Sequence, residues 1–362
     1  MTDAQTEIRT AIRNFWQQTS YWIYYQTIQN ISYCSKQMKT TFTIFLLTIF
    51  LLVGCGTSAD THADHAHETT LPTFSAVNLN GRQLNVVVTT SLIGDVVSNI
   101  GGDAISLSTL ISPNQDVHSY EATPNDLVTL EQADIIFING WDLEEQLAKT
   151  IEENYADKAV SISTDVEPIE MDGADDEHGH GHGSDDPHVW FSIHNVEQWA
   201  RTSAEILHTL DPENESTYET NRDSYLAELA TLETDVDALL SDLPTDQRKL
   251  VTNHDSFAYL ARDYEFEVVG TVIPAASTSA EPSASDLADL VTAMTEENIC
   301  TIFAELSNNS SLAEVVSAEL NHCPNVQVIP LHTGSLGDGE TSTYIGLFRS
   351  NIKAIVDGLS TP

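Results

Sequence analysis

One long helical run sets the architecture. From Asp211-Pro212 to about Leu240, apolar residues fall at Tyr218, Tyr225, Leu226, Leu229, Leu232, Val236 and Leu239. This recurrence fits a single amphipathic helix of about 30 residues, and Pro244 follows it. On both sides of that rod, strand-like and helical stretches alternate. Before it, strand patterns at 84–89, 105–111, 135–138 and 159–162 are separated by helical patterns at 91–100, 124–132 and 142–153, and a further helix is expected at 195–210. Gly101-Gly102 stops the first helix, and Thr123-Pro124 caps and starts the second. After the rod, strand patterns at 250–252, 267–272, 299–304 and 326–329 interleave with helical patterns at 256–264, 285–297, 310–320 and 342–359. Such alternation predicts parallel sheets. The expected fold is therefore α/β: two parallel-sheet lobes, 84–210 and 243–362, joined by one long rigid helix at 211–242. No internal sequence repeat is evident.

The chain carries its address near the start. Met38-Lys39 precedes an apolar run from Phe42 to Val53, then Gly54-Cys55-Gly56. A spanning helix needs about 20 residues, so this run has the size of a signal-peptide core instead. Leu52-Val53-Gly54-Cys55 resembles a bacterial lipobox, in which the Cys takes a lipid and becomes the mature N-terminus. An uncleaved interfacial helix is the alternative. Residues 1–55 are thus read as extension, signal peptide and lipobox. Trp16, Tyr21, Trp22, Tyr24 and Tyr25 could make an amphipathic segment, or Met38 is the true start. Residues 56–83, with His62, His65 and His67, read as a flexible tether. The expected location is extracytoplasmic, on the membrane face.

Lys and Arg number 14 against 55 Asp and Glu, a formal net charge of -41. This repels phosphate backbones and anionic headgroups, so nucleic acid is excluded as a partner. With Cys34 in the precursor and Cys55 lipidated, Cys300 and Cys323 remain. In an oxidising compartment they read as a disulfide, with two independent buried thiols as the alternative.

Three histidines lie in loops past strand ends, where α/β proteins place ligands: His118 in SPNQDVHSYEATPNDL, His188 in DDPHVWFS and His254 in VTNHDSFAYL. Singly, each is better explained as a structural histidine. Together, two from one lobe and one from the other, they suit a divalent cation between lobes. Asp116, Asp186 and Asp255 lie close by as candidate acceptors for imidazole N–H groups. His178, His180 and His182 alternate with glycine in the acidic loop 172–187. They read as an auxiliary collector of metal ions, or as a polar linker. No H-E-x-x-H, G-x-S-x-G, Walker A or G-x-G-x-x-G motif is present, so no catalytic residues are assigned.

At these residues the chain resembles the zinc and manganese solute-binding proteins of ABC importers, the ZnuA/TroA-like group. HSYEATPNDL at 118–127, DPHVW at 186–190, the helix beginning DPENESTYETNRDSYLAEL, TNHDSFAYLA at 252–261, IFAE at 302–305 and TYIGLFRSNI at 343–352 carry the likeness over residues 84–358. The resemblance implies a monomeric carrier that hands a transported ion to a membrane permease and performs no catalysis. It implies that His118, His188 and His254 are metal ligands. Manganese-type members carry a carboxylate at the position of His254, so Zn(II) is the expected cargo and Mn(II) or Fe(II) the alternative. Many members place an aspartate in the stretch that here reads Thr333-Gly334-Ser335-Leu336. Gly334 has no side chain to offer, which leaves water, Glu305, Asp338 or Glu340 for a fourth position. Glu305 is the first choice, because it matches a recurrent family acid at a strand end. A zinc hydrolase using the open position, and a surface adhesin with incidental metal binding, are the competing readings.

Overall fold

Two four-stranded parallel sheets stand on either side of one long helix in the computed structural model, which describes residues 73–171, 185–306 and 311–360. All of these lie within the unit His67–Pro362. The first lobe contains β1 (Leu84–Val88), α1 (Ser91–Gly101), β2 (Ile105–Thr109), α2 (Pro124–Gln132), β3 (Ile135–Ile138), α3 (Glu145–Tyr155), β4 (Ala159–Ser161) and α4 (Ile193–Leu210). Then comes α5 (Glu215–Leu240). The second lobe contains β5 (Lys249–His254), α6 (Ala258–Tyr264), β6 (Glu267–Ile273), α7 (Ala284–Glu296), β7 (Thr301–Glu305), α8 (Ser311–Glu319), β8 (Gln327–Leu331) and α9 (Tyr344–Leu359).

Strand order is β2-β1-β3-β4 in one sheet and β6-β5-β7-β8 in the other. The topology is therefore the same in both lobes. The two middle strands of each sheet, β1 with β3 and β5 with β7, lie where the winding direction reverses. In open parallel sheets, the crevice beyond the carboxyl ends of such strands is where ligands collect. β3 is buried at every position, as a strand covered on both faces by helices must be. The outer strand β2 is mostly exposed or half-buried.

Local chemistry sets the helix ends. Thr123 and Asp126 form a reciprocal cap around Pro124 at the start of α2, and Ser283 with Asp286 does the same for α7. Each pair satisfies two orphan N–H groups. Helix α3 starts at Glu145, later than the pattern at Asp142 suggests. Gly140, Trp141 and Asp142 have φ of 89°, 53° and 59°, a left-handed conformation that a right-handed helix cannot incorporate. A 3-10 turn at Pro212–Asn214 likewise precedes α5.

Tyr218, Tyr225, Leu229, Leu232, Val236 and Leu240 are the buried residues of α5. The helix packs on α1 and α4 of the first lobe and on α9 of the second. One hydrophobic core consequently runs through both lobes, and a smaller one around Val251, Val272, Met294 and Ile302 serves the far side of the second sheet. Burying a leucine in such a core is worth about 2–3 kcal/mol, so α5 is held from both sides. Hydrogen bonds add to the link: Leu336 N to Ser91 Oγ at 3.0 Å, Tyr344 N to Asp95 Oδ2 at 2.9 Å, and Trp190 Nε1 to the Thr333 carbonyl at 2.7 Å. A disulfide joins Cys300 to Cys323, with Cα atoms 5.7 Å apart. Among the described residues no helix is long and apolar enough to cross a membrane.

Candidate metal centre

His254 is the last residue of β5, not a loop residue beyond it. Glu305 is the last residue of the neighbouring strand β7. The reversal point of the second sheet thus ends in an imidazole and a carboxylate. In the first lobe, His118 lies in the loop between β2 and α2, and His188 lies just before the 3-10 turn Val189–Phe191. All three imidazoles are buried. His188 Nε2 lies 3.3 Å from His118 Nε2 and 3.2 Å from His254 Nε2. One nitrogen from each ring falls within 4.8 Å of the others. Three unprotonated nitrogens this close repel unless a proton or a cation sits among them.

The environment keeps the His118 and His254 rings neutral. Burial, then the neighbouring His188, drives the His118 imidazole down to about 3, against a hydrogen bond to Leu143 that works the other way. Burial, then His188 and His118, holds His254 well below its usual value. Neutral imidazole is the form that ligates metal.

Carboxylates stand behind the rings. Asp186 Oδ1 lies 2.8 Å from His188 Nδ1 and also accepts the His188 backbone N–H at 2.9 Å. It fixes the proton on Nδ1 and frees Nε2 to point inward. Asp116 holds the equivalent place in sequence before His118 and accepts that backbone N–H at 3.0 Å. Its other oxygen, however, takes the Thr278 hydroxyl across the cleft at 2.8 Å. Behind His118 the nearest acid is Glu145, 3.8 Å from Nδ1, and Glu145 also accepts the Ser277 hydroxyl. The loop between β6 and α7, which carries Ser277 and Thr278, therefore latches to two acids beside His118. The Asp255 carboxyl is raised, first by burial and then by Asp186, with His188 opposing. No hydrogen bond from it to an imidazole is seen.

Glu305, the expected fourth ligand, ends β7 beside His254. Its Oε2 lies 3.4 Å from His254 Nδ1, whereas Nε2 of that ring faces His188. It does not join the three converging nitrogens. Its Oε2 stands on the Nδ1 side of His254, farther off than Asp186 Oδ1 from His188 Nδ1 at 2.8 Å. A Cβ built on Gly334 would meet Glu305 Oε1 at 3.5 Å and Val117 Cγ2 at 3.3 Å, so the space beside Gly334 borders the same pocket. Cys55, His178, His180 and His182 lie outside the described residues.

Several supporting residues escaped the sequence reading. Asn139 Nδ2 donates to the Pro187 carbonyl, next to His188, at 3.0 Å. Glu144 is fully buried behind it, receiving the Thr89 hydroxyl at 2.5 Å and the Asn139 N–H at 2.6 Å. Burial raises the Glu144 carboxyl despite these bonds. Tyr259 donates to the Asp186 carbonyl at 3.0 Å, and the Trp190 ring meets the His188 imidazole edge-on at 5.3 Å. Asn139 directly follows the apolar strand β3, and nothing in the sequence marks it as a partner of the His188 loop.

The family model for the zinc-uptake complex component A, periplasmic (ZnuA), matches residues 86–358. The chain belongs to this family. Among similar proteins is the metal ABC transporter substrate-binding lipoprotein ScbA of Streptococcus cristatus, 28% identical over 293 residues, covering 79% of this chain and 92% of that one. The manganese-binding lipoprotein MntA of Halalkalibacterium halodurans is 25% identical over 323 residues, covering 89% of this chain and all of that one. The solved periplasmic zinc-binding protein TroA of Treponema pallidum superposes with a TM-score of 0.69 at 29% identity, covering 77% of this chain and 100% of that one. The two-lobe α/β fold is shared with that structure.

Proposed function

We propose that this protein is an extracytoplasmic receptor that captures Zn(II) in the cleft between its lobes and presents it to an ABC-type permease. The observation that carries the reading is the convergence of His118, His188 and His254, whose ring nitrogens lie within 4.8 Å of one another. Imidazole-rich sets suit zinc, while carboxylate-rich sets suit manganese. With Asp186 and Glu305 acting as acceptors behind the rings, the ion keeps three nitrogen ligands and one exchangeable position, filled by water. A carrier benefits from that position, because it must release what it binds. Cys55 would hold the mature chain at the membrane face, as the lipoprotein names of the relatives suggest. The protein binds and delivers; the cargo ion is not used for catalysis.

Manganese is the second reading, favoured by the name of the relative MntA and by the acids that ring the site. Calorimetric titration of the metal-free protein separates the two. Tight one-to-one zinc binding that manganese cannot displace, lost in His188→Ala, supports the proposal. Preference for manganese, or unchanged binding in His188→Ala, refutes it. Poor growth of a deletion strain under zinc chelation, restored by the intact gene, would tie the binding to import.

A further inference from the structure

A second set of soft ligands lies on the far side of the second lobe, away from the cleft. Cys300 precedes β7 and Cys323 lies between α8 and β8, and the two are bridged. His322 is next to the bridge: its Nε2 lies 3.2 Å from Cys323 Sγ. The three residues present a nitrogen and two sulfurs within 4.8 Å of one another. All three are partly exposed. A cavity of about 390 Å³ opens over Cys300 and His322, with Asp246 and the ion-paired Lys249 and Glu297 in its wall. The cavity opens the Cys300 and His322 side of the bridge to solvent.

The imidazole is also set in a ligand-competent tautomer. The Thr295 hydroxyl donates its hydrogen to the Val291 carbonyl at 2.7 Å. Its oxygen is then left to accept from His322 Nδ1, 3.4 Å away. With the proton on Nδ1, the Nε2 lone pair faces the sulfur. This is the arrangement by which metal-bound histidines are oriented. Cα atoms 5.7 Å apart allow two thiolates to rotate from each other to a common ion without moving the strands.

We propose that Cys300, Cys323 and His322 form a redox-gated site for a thiophilic divalent cation, closed while the disulfide is intact and opened by reduction. Two equivalents of an external thiol supply two electrons and two protons. The S–S bond breaks, the external pair becomes a disulfide, and Cys300 and Cys323 become thiols. The arriving cation displaces both thiol protons and takes two thiolates and the His322 nitrogen, with water completing a tetrahedron. A Cys2His set is softer than the three imidazoles of the cleft. The site is independent of the cleft reading.

The test uses the full chain in detergent, carrying Cys34→Ser and Cys55→Ser so that only two cysteines can report. The cleft is first filled with one equivalent of zinc. A phosphine then reduces the bridge, taking oxygen from water as the sulfurs gain two electrons and two protons. Co(II) is added as the probe. The expected result is a thiolate-to-cobalt charge-transfer band in the reduced protein, saturating at one equivalent. It should be absent from the oxidised protein and from Cys300→Ser/Cys323→Ser. His322→Ala should keep its fold, as shown by undiminished zinc in the cleft, but bind Co(II) at least about tenfold more weakly. A bridge that resists the phosphine, no band after reduction, or the same affinity in His322→Ala would each overturn the proposal.

Discussion

Restoring a carboxylate at position 334 gives a quantitative probe of the cleft. Gly334 is not among the residues with positive φ, so its backbone accepts an L side chain. The new Cβ would lie 3.5 Å from Glu305 Oε1 and 3.3 Å from Val117 Cγ2. In Gly334→Asp without metal, two carboxylates share a buried pocket. At a separation of about 4 Å and an effective dielectric of about 20, their repulsion is about 4 kcal/mol. Proton uptake sets a ceiling: keeping one carboxyl neutral at pH 7 costs about 4 kcal/mol for an ordinary value near 4, at about 1.4 kcal/mol per unit. The two limits agree.

The sign follows from the raised carboxyl. Its penalty is full well above the unfolded value near 4 and fades as pH falls towards it. At pH 5 the ceiling drops to about 1.4 kcal/mol. Denaturant unfolding of the metal-free variant should therefore show a loss of about 4 kcal/mol at pH 7 and about a third of that at pH 5. A saturating divalent cation should reverse it, because positive charge in the cleft offsets the paired carboxylates. A loss that does not change with pH would mean that Val117 crowding dominates, and that Glu305 does not border the ion's pocket.

Further outcomes can be checked separately. Asp186→Asn keeps an acceptor oxygen but loses the charge behind His188, so zinc affinity should fall roughly 10- to 100-fold in calorimetry with the fold intact. Thr278→Ala removes the bond to Asp116 across the cleft, worth about 1 kcal/mol. Stopped-flow chelation should show zinc leaving about fivefold faster, and an unchanged rate would mean the loop is no latch. His118 and His254 are held neutral in the fold, whereas the unfolded chain takes up protons below about pH 6.5. Metal-free stability should thus be full above that value and fall as pH drops towards about 3, the His118 value. The slope should reach about 1.4 kcal/mol per pH unit for each histidine, and His118→Gln should flatten it by one histidine's share.

Much of the architecture was written in periodicities. The spacing of Tyr218, Tyr225, Leu229, Leu232 and Val236 foretold the buried face of α5, and the interleaved patterns foretold two parallel sheets. The matching strand order of the lobes was not legible. It is a repeat of backbone winding, carried by unlike segments such as LNVVV in β1 and KLVTNH in β5. Histidines could be singled out because imidazole is chemically distinctive. Their partners could not: Asp116 and Asp186 stand at the same distance in sequence from their histidines, yet only Asp186 reaches a ring nitrogen. Asp116 is drawn off by Thr278, 162 residues away in sequence, a contact that only tertiary packing creates. Asn139 and Glu144 support His188 through the Pro187 carbonyl, which no local pattern announces. Glu305 came from family likeness, and its Oε2 lies 3.4 Å from His254 Nδ1.

A crystal structure of the zinc-loaded protein, with the ion located by anomalous scattering at the zinc edge, bears most directly on the account. The prediction is one fully occupied ion with Nε2 of His118, His188 and His254 at about 2.0–2.1 Å, Asp186 and Glu305 remaining behind their rings. An ion held by fewer than three of these imidazoles, or found only at histidines outside the cleft, would contradict it.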